Sequence, residues 1–149
     1  MTESISTRTH HLLVVDDDSG RRVFRLEATT YSIGRDPTCS IMLHSPLVSR
    51  QHALLARIGG GEGAAGVGYR IFDGNSQGKP SKNGILVQGE RRSAHDLEDG
   101  DLIEFAPEIR ACYYIRTMSE DDISRYTQST PFRSIKAMPI DQIGTSVLG

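Results

Sequence analysis

The chain has 149 residues, 37% hydrophobic and 24% charged, which suits one soluble domain with a packed core plus a tail. A formal net charge of −2 argues against a nucleic-acid partner, and the absence of any run of about 18 apolar residues argues against a membrane span. The start, Met1-Thr2-Glu3-Ser4-Ile5, lacks the basic and apolar regions of a secretory leader, and Cys39 and Cys112 read as reduced, packed thiols, so the expected compartment is the cytoplasm.

Residues 1–10 are Ser/Thr-rich and polar and are expected to form a flexible N-terminal arm. Leu12-Leu13-Val14-Val15 is a short apolar strand, Asp17-Asp18-Ser19-Gly20 supplies a turn, and Val23-Phe24-Arg25-Leu26 alternates, so the pair reads as a hairpin. The aspartates lack the spacing and terminal Glu of a calcium loop and are read as a solvated turn. Further strands are expected at Tyr31–Gly34, Ile41–Leu43, Ala53–Ile58, Tyr69–Phe72, Ile85–Gln88, Leu102–Phe105 and Cys112–Arg116. Breakers separate them: Asp36-Pro37, Ser45-Pro46, the glycine run 59–68, Asp73-Gly74-Asn75, Gln88-Gly89 and Asp99-Gly100. Many short strands with almost no helical period predict an all-β sandwich or barrel; periodicity alone does not choose between them. Beyond Arg116 neither period persists, and residues 117–149 are expected to be a flexible C-terminal tail, with one helical turn near Glu120–Tyr126 that Ser119 would cap.

Two glycine-rich stretches imitate nucleotide sites. Gly61-x-Gly63-x-x-Gly66 has dinucleotide-binding spacing, but Val67-Gly68-Tyr69 leads into a strand where that site needs a helix. Gly74-Asn75-Ser76-Gln77-Gly78-Lys79 is one residue short of a phosphate-binding P-loop, and Pro80 stands where the magnesium-binding hydroxyl belongs. No nucleophile elbow or His-Glu-x-x-His pattern appears, and His44, His52 and His95 are scattered. His10-His11 reads as a surface pair. The expectation is a protein that is not an enzyme and needs no metal or cofactor.

The informative stretch is Tyr31 to His52. A strand delivers Gly34-Arg35-Asp36 into a loop, and Ser49-Arg50-Gln51-His52 precedes the next strand, with Ser81-Lys82-Asn83-Gly84 downstream. These loops gather a guanidinium, a hydroxyl, an amide and an ammonium, a set suited to one tetrahedral anion. Arg35 at a strand end can offer its planar fork, and Ser49 its hydroxyl and backbone N–H. From Leu12 to about Ile115 the chain resembles the forkhead-associated (FHA) domain, with the motifs in the family's order.

The resemblance implies a two-sheet antiparallel β-sandwich over residues 11–116 that reads phosphothreonine on loops at one end. It implies that Arg35 and Ser49 contact the phosphate, that Asn83 hydrogen-bonds the peptide backbone, and that His52 braces the loop. Gly34, Ser81 and Gly84 support the site, Gly34 and Gly84 by allowing conformations and approaches that a Cβ would hinder. Lys82 stands where the family often has Thr, and Arg50 is an auxiliary contact. Ile85 replaces a common Thr, Ala106 a frequent Gly, and Ser76–Pro80 reads as an insertion lengthening the second recognition loop. The implied partner is a substrate of a Ser/Thr kinase; the alternative is an FHA-fold scaffold that binds its partner without phosphorylation. Thr117, Thr127, Thr130 and Thr145 add a route to self-association, a phosphorylated tail threonine entering the chain's own site.

Overall fold

A computed structural model describes residues 7–59 and 67–129. The strands are β1 (Thr7–Asp17), β2 (Gly20–Leu26), β3 (Thr30–Gly34), β4 (Ile41–Met42), β5 (Ala53–Gly59), β6 (Val67–Asp73), β7 (Ile85–Val87), β8 (Glu90–Arg92), β9 (Ala94–Asp96), β10 (Leu102–Ala106) and β11 (Ile109–Ser119), followed by helix α1 (Glu120–Ser129). They form two sheets, β2-β1-β11-β10-β7-β8 and β4-β3-β5-β6-β9. The expected sandwich is thus observed, antiparallel throughout except for a two-residue parallel bridge of β3 with β4 at Ile33↔Ile41 and Gly34↔Met42. Among the described residues, no helix is long and apolar enough to cross a membrane.

Alternation sets the main core. Leu13 and Val15 of β1, Leu55 of β5, Ile71 of β6, Ile103 and Phe105 of β10 and Tyr113 of β11 meet between the sheets, each at most 1% exposed. Leu12 points the other way, into a second small cluster with Met118, Ile123 and Tyr126 beneath α1. Four consecutive apolar residues in β1 therefore mean burial on both faces, with α1 as the cover.

Several expectations need correction. The flexible arm expected over 1–10 gives way to strand from Thr7, because Thr7–His10 pair with Arg116–Ser119 of β11. The tail expected from Thr117 is strand to Ser119 and then helix to Ser129, with Ser119 Oγ accepting from the Asp122 N–H at 3.1 Å as a cap. Residues 1–6 and 130–149 lie outside the described residues. His10 and His11 are buried: His10 Nε2 lies 3.1 Å from the Met118 carbonyl, and His11 Nδ1 2.5 Å from the Tyr113 hydroxyl. Burial holds His11 below its ordinary pKa, with Arg57 and His10 adding to the effect. The Asp17 side chain, expected in a solvated turn, is fully covered. It accepts from the His44 N–H at 2.7 Å, from Ser19 and from Arg22, and so ties the β1–β2 turn to the loop after β4. Strands β8 and β9 were not anticipated; they are short, polar and charged, features that keep a sheet edge from pairing with another chain. Cys39 and Cys112 are free thiols, Cys39 buried and Cys112 partly so. Gly61, Gly63 and Gly66 lie outside the described residues, and the flanking β5 and β6 pair antiparallel up to Gly59↔Val67.

Candidate functional site

The loops after β3, before β5 and between β6 and β7 meet at one pole. A backbone zipper aligns the first two. The Arg35 N–H donates to the Ser49 carbonyl (3.0 Å), the Asp36 N–H to Arg50 (3.2 Å), the Leu43 N–H to Gly34 (2.7 Å) and the His52 N–H to Ile33 (2.8 Å). A Cβ on Gly34 would lie 2.1 Å from the Arg50 carbonyl oxygen, so any side chain there would part the loops. Arg35 is exposed, and its Nε donates to the Val48 carbonyl at 3.0 Å. Its terminal nitrogens have no protein partner among the described residues. Asp36 does not neutralise it. That carboxylate accepts from the Thr38 N–H and hydroxyl and pairs with Arg50 at 2.9 Å, contacts that hold it below the usual carboxylate pKa.

His52 locks this unit to the third loop. It is fully buried, and its Nδ1 accepts from the Ser49 N–H at 3.0 Å, so Nε2 carries the proton and donates to the Gly84 carbonyl at 2.8 Å. Its ring stands edge-on to Phe105, with centroids 5.6 Å apart. Burial pushes its pKa down, outweighing the Gly84 bond and the nearby Asp73, and keeps the ring neutral. Ser81, also buried, donates from Oγ to Asp73 at 2.5 Å and accepts from the Gly84 N–H at 2.8 Å. Gly84 has φ +77°, a conformation that favours glycine, and the movable guanidinium of Arg91 lies over it, a nitrogen 2.6 Å from where a Cβ would be. The Asn83 amide donates to the Leu47 carbonyl at 2.8 Å, and the Lys82 N–H donates to Ser49 Oγ at 2.9 Å.

The structure thus brings Arg35, Ser49, Arg50, Lys82 and Asn83 onto one pole, with Gly34, His52, Ser81 and Gly84 behind them. Two details differ from expectation. The Ser49 N–H is taken by His52 and is no free donor, whereas its hydroxyl, accepting from Lys82, keeps its own proton available. The Asn83 amide N–H faces Leu47 rather than open space. Sequence reasoning missed two cations at this pole. Lys79 comes from the inserted stretch, where its composition gave a signal, and Arg91 comes from β8, where only sheet pairing brings it over Gly84.

The FHA-domain family model matches residues 31–106, and the chain belongs to this family of protein-interaction modules. A Synechocystis protein, sll1895, is 39% identical over 114 residues; the match covers 75% of this chain and 16% of sll1895, so the chain spans a small part of that relative. The crystal structure of the Slr1951 protein from Synechocystis is 38% identical with a TM-score of 0.67, covering 71% of this chain and 98% of that one. Mycobacterium tuberculosis EmbR, solved in complex with a low-affinity phosphopeptide, is 33% identical with a TM-score of 0.52, covering 69% of this chain and 24% of EmbR.

Proposed function

We propose that this chain is a phosphothreonine-dependent interaction module that docks a kinase-phosphorylated segment of a partner protein on the Arg35–Ser49–Lys82 face. One observation carries the reading: the Arg35 fork stays open on protein because Asp36 is engaged by Arg50 and Thr38. An open, charge-bearing fork beside a serine hydroxyl is the Arg-centred mode of phosphate recognition. Arg50 and Lys82 add charge, and the Asn83 carbonyl oxygen is left to meet the peptide backbone. The phosphopeptide held by EmbR supports the same chemistry in a relative.

The test is calorimetry with three peptides of one sequence carrying phosphothreonine, phosphoserine or unmodified threonine. Phosphothreonine should bind, and unmodified threonine should not. Phosphoserine should bind about fourfold more weakly, the value of one buried methyl at ~0.8 kcal/mol. Equal binding of all three would establish the scaffold that ignores phosphate.

Self-association belongs to this reading, with the candidates narrowed. Thr117 is paired with Thr9 within β11, and the Thr127 hydroxyl bonds back to the Ile123 and Ser124 carbonyls inside α1, so both are held in regular structure rather than on a free segment. Thr130 and Thr145 lie outside the described residues. A tethered phosphothreonine has an effective concentration on the order of millimolar, enough to fill a micromolar site. Phosphorylated full chain should therefore bind an external phosphothreonine peptide far more weakly than a version ending at Ser129. Ending at Arg116 instead would remove Met118, Ile123 and Tyr126 from over Leu12 and confuse binding with stability. Equal binding by the two forms would dismiss the tail.

A further inference from the structure

We infer that a second binding site, for a small carboxylate on an apolar body, lies between the sheets at the pole opposite the recognition loops. It does not depend on the phosphothreonine reading.

Strand direction sets the separation. β5 leaves the recognition pole at Ala53 and reaches Arg57 about 13 Å further on, at ~3.3 Å per residue. A cavity of about 520 Å³ opens there, a size that suits a small-molecule ligand. Leu26, Tyr69, Ile115 and the ring of His11 form its apolar part. Leu26 and Ile115 flank His11 in the first sheet, and the Tyr69 ring meets His11 edge-on from the second, with centroids 5.7 Å apart.

Three donors at this cavity have no protein acceptor among the described residues. The first is on His11. The Tyr113 hydroxyl lies 2.5 Å from His11 Nδ1 and has no other partner among the described residues. Burial pushes the pKa of that hydroxyl up, so it keeps its proton and donates it to Nδ1. The proton of the neutral imidazole therefore sits on Nε2, on a side chain only 7% exposed.

Arg57 supplies the second. Arg25 is held by Glu27 and Glu120, and Arg8 by Glu120, whereas the Arg57 guanidinium pairs with none of them. Three guanidiniums thus meet two carboxylates, and the unbalanced charge, on Arg57, matches one carboxylate better than a dianionic phosphate. Arg57 is also close enough to His11 to help hold its pKa down.

The third is the Thr9 N–H. Asp17↔Gly20 closes a two-residue hairpin, so the odd-numbered residues of β1 hydrogen-bond toward β2. β2 stops at Leu26, opposite His11, and Thr9, next in that series, turns its N–H to the side β2 has left.

The test titrates the full chain with naphthylacetate, its neutral amide and acetate, followed by two-dimensional amide NMR. Naphthylacetate should shift the amides of Leu26, Arg57, Tyr69 and Ile115 and leave those of Ser49, Lys82 and Gly84 in place. The neutral amide, which has no charge for Arg57, should bind about tenfold more weakly, and so should acetate, which lacks the body. Arg57→Gln should bring naphthylacetate down to the affinity of the amide. Its melting temperature should match wild type, because Arg57 is exposed and keeps its N–H bond to the Thr29 carbonyl. A titration that leaves those four amides unmoved overturns the site. Equal affinity for carboxylate and amide, or binding that survives Arg57→Gln, overturns it as well. None of these outcomes bears on phosphothreonine binding, which is read at the other pole.

Discussion

Arg35→Ala is expected to weaken phosphothreonine-peptide binding by about tenfold to a hundredfold while leaving the melting temperature nearly unchanged. The binding loss follows from one charge-assisted contact worth roughly 1.5–3 kcal/mol. The small stability effect follows from what Arg35 does in the free protein, where its side chain is exposed and its one bond runs from Nε to the Val48 carbonyl. The loop itself is held by backbone bonds that alanine retains, including those from the Arg35 and Asp36 N–H groups. Arg35→Lys should fall between the two, since it keeps the charge and loses the fork. Calorimetry and a thermal melt on the same preparations decide the matter. Equal affinity for wild type and Arg35→Ala would remove Arg35 from the phosphate site.

The strands that carry the site were legible because each has its own signal. β3, β5 and β6 alternate, and the residues that follow Gly34, precede Ala53 and follow Asp73-Gly74 are the loop residues that meet. Helix α1 was legible only in part. Its sequence, Glu120-Asp121-Asp122-Ile123-Ser124-Arg125-Tyr126, is mostly polar, and two apolar residues three apart make a weak period. The stronger clue lay far away in β1, where four apolar residues in a row cannot all face one core. His10-His11 failed for a related reason. Adjacent strand residues face opposite sides, and both sides here are covered, one by the opposing sheet and one by α1. In the site, the gathering of Arg35, Ser49 and Asn83 followed from their order, but the pairings did not. Whether Asp36 turns to Arg35 or Arg50 depends on rotamers that spacing does not fix. Arg91 was invisible because it reaches Gly84 through the β7–β8 pairing, in which Ile85 faces Arg92 and Leu86 faces Arg91.

His52→Ala is expected to cost about 3 kcal/mol or more of stability and to weaken peptide binding with it. Removing a buried ring leaves a cavity beside Phe105, and it orphans the Ser49 N–H and the Gly84 carbonyl. The same residue makes the site sensitive to acid. Burial lowers the pKa of folded His52 below its ordinary 6.5, so the unfolded chain takes up the proton more readily. Stability is therefore fully present above 6.5 and is lost as pH falls from 6.5 toward the folded value. His11, lowered by burial in the same direction, adds to the loss. Protonation at Nδ1 would also remove the acceptor that holds the Ser49 N–H, so loop order and stability should decline together. Urea titrations from pH 7.5 to pH 5 on wild type and His52→Asn separate the two histidines. Wild type should lose stability more steeply than the variant over this range, and identical slopes would show that His52 does not drive the acid response.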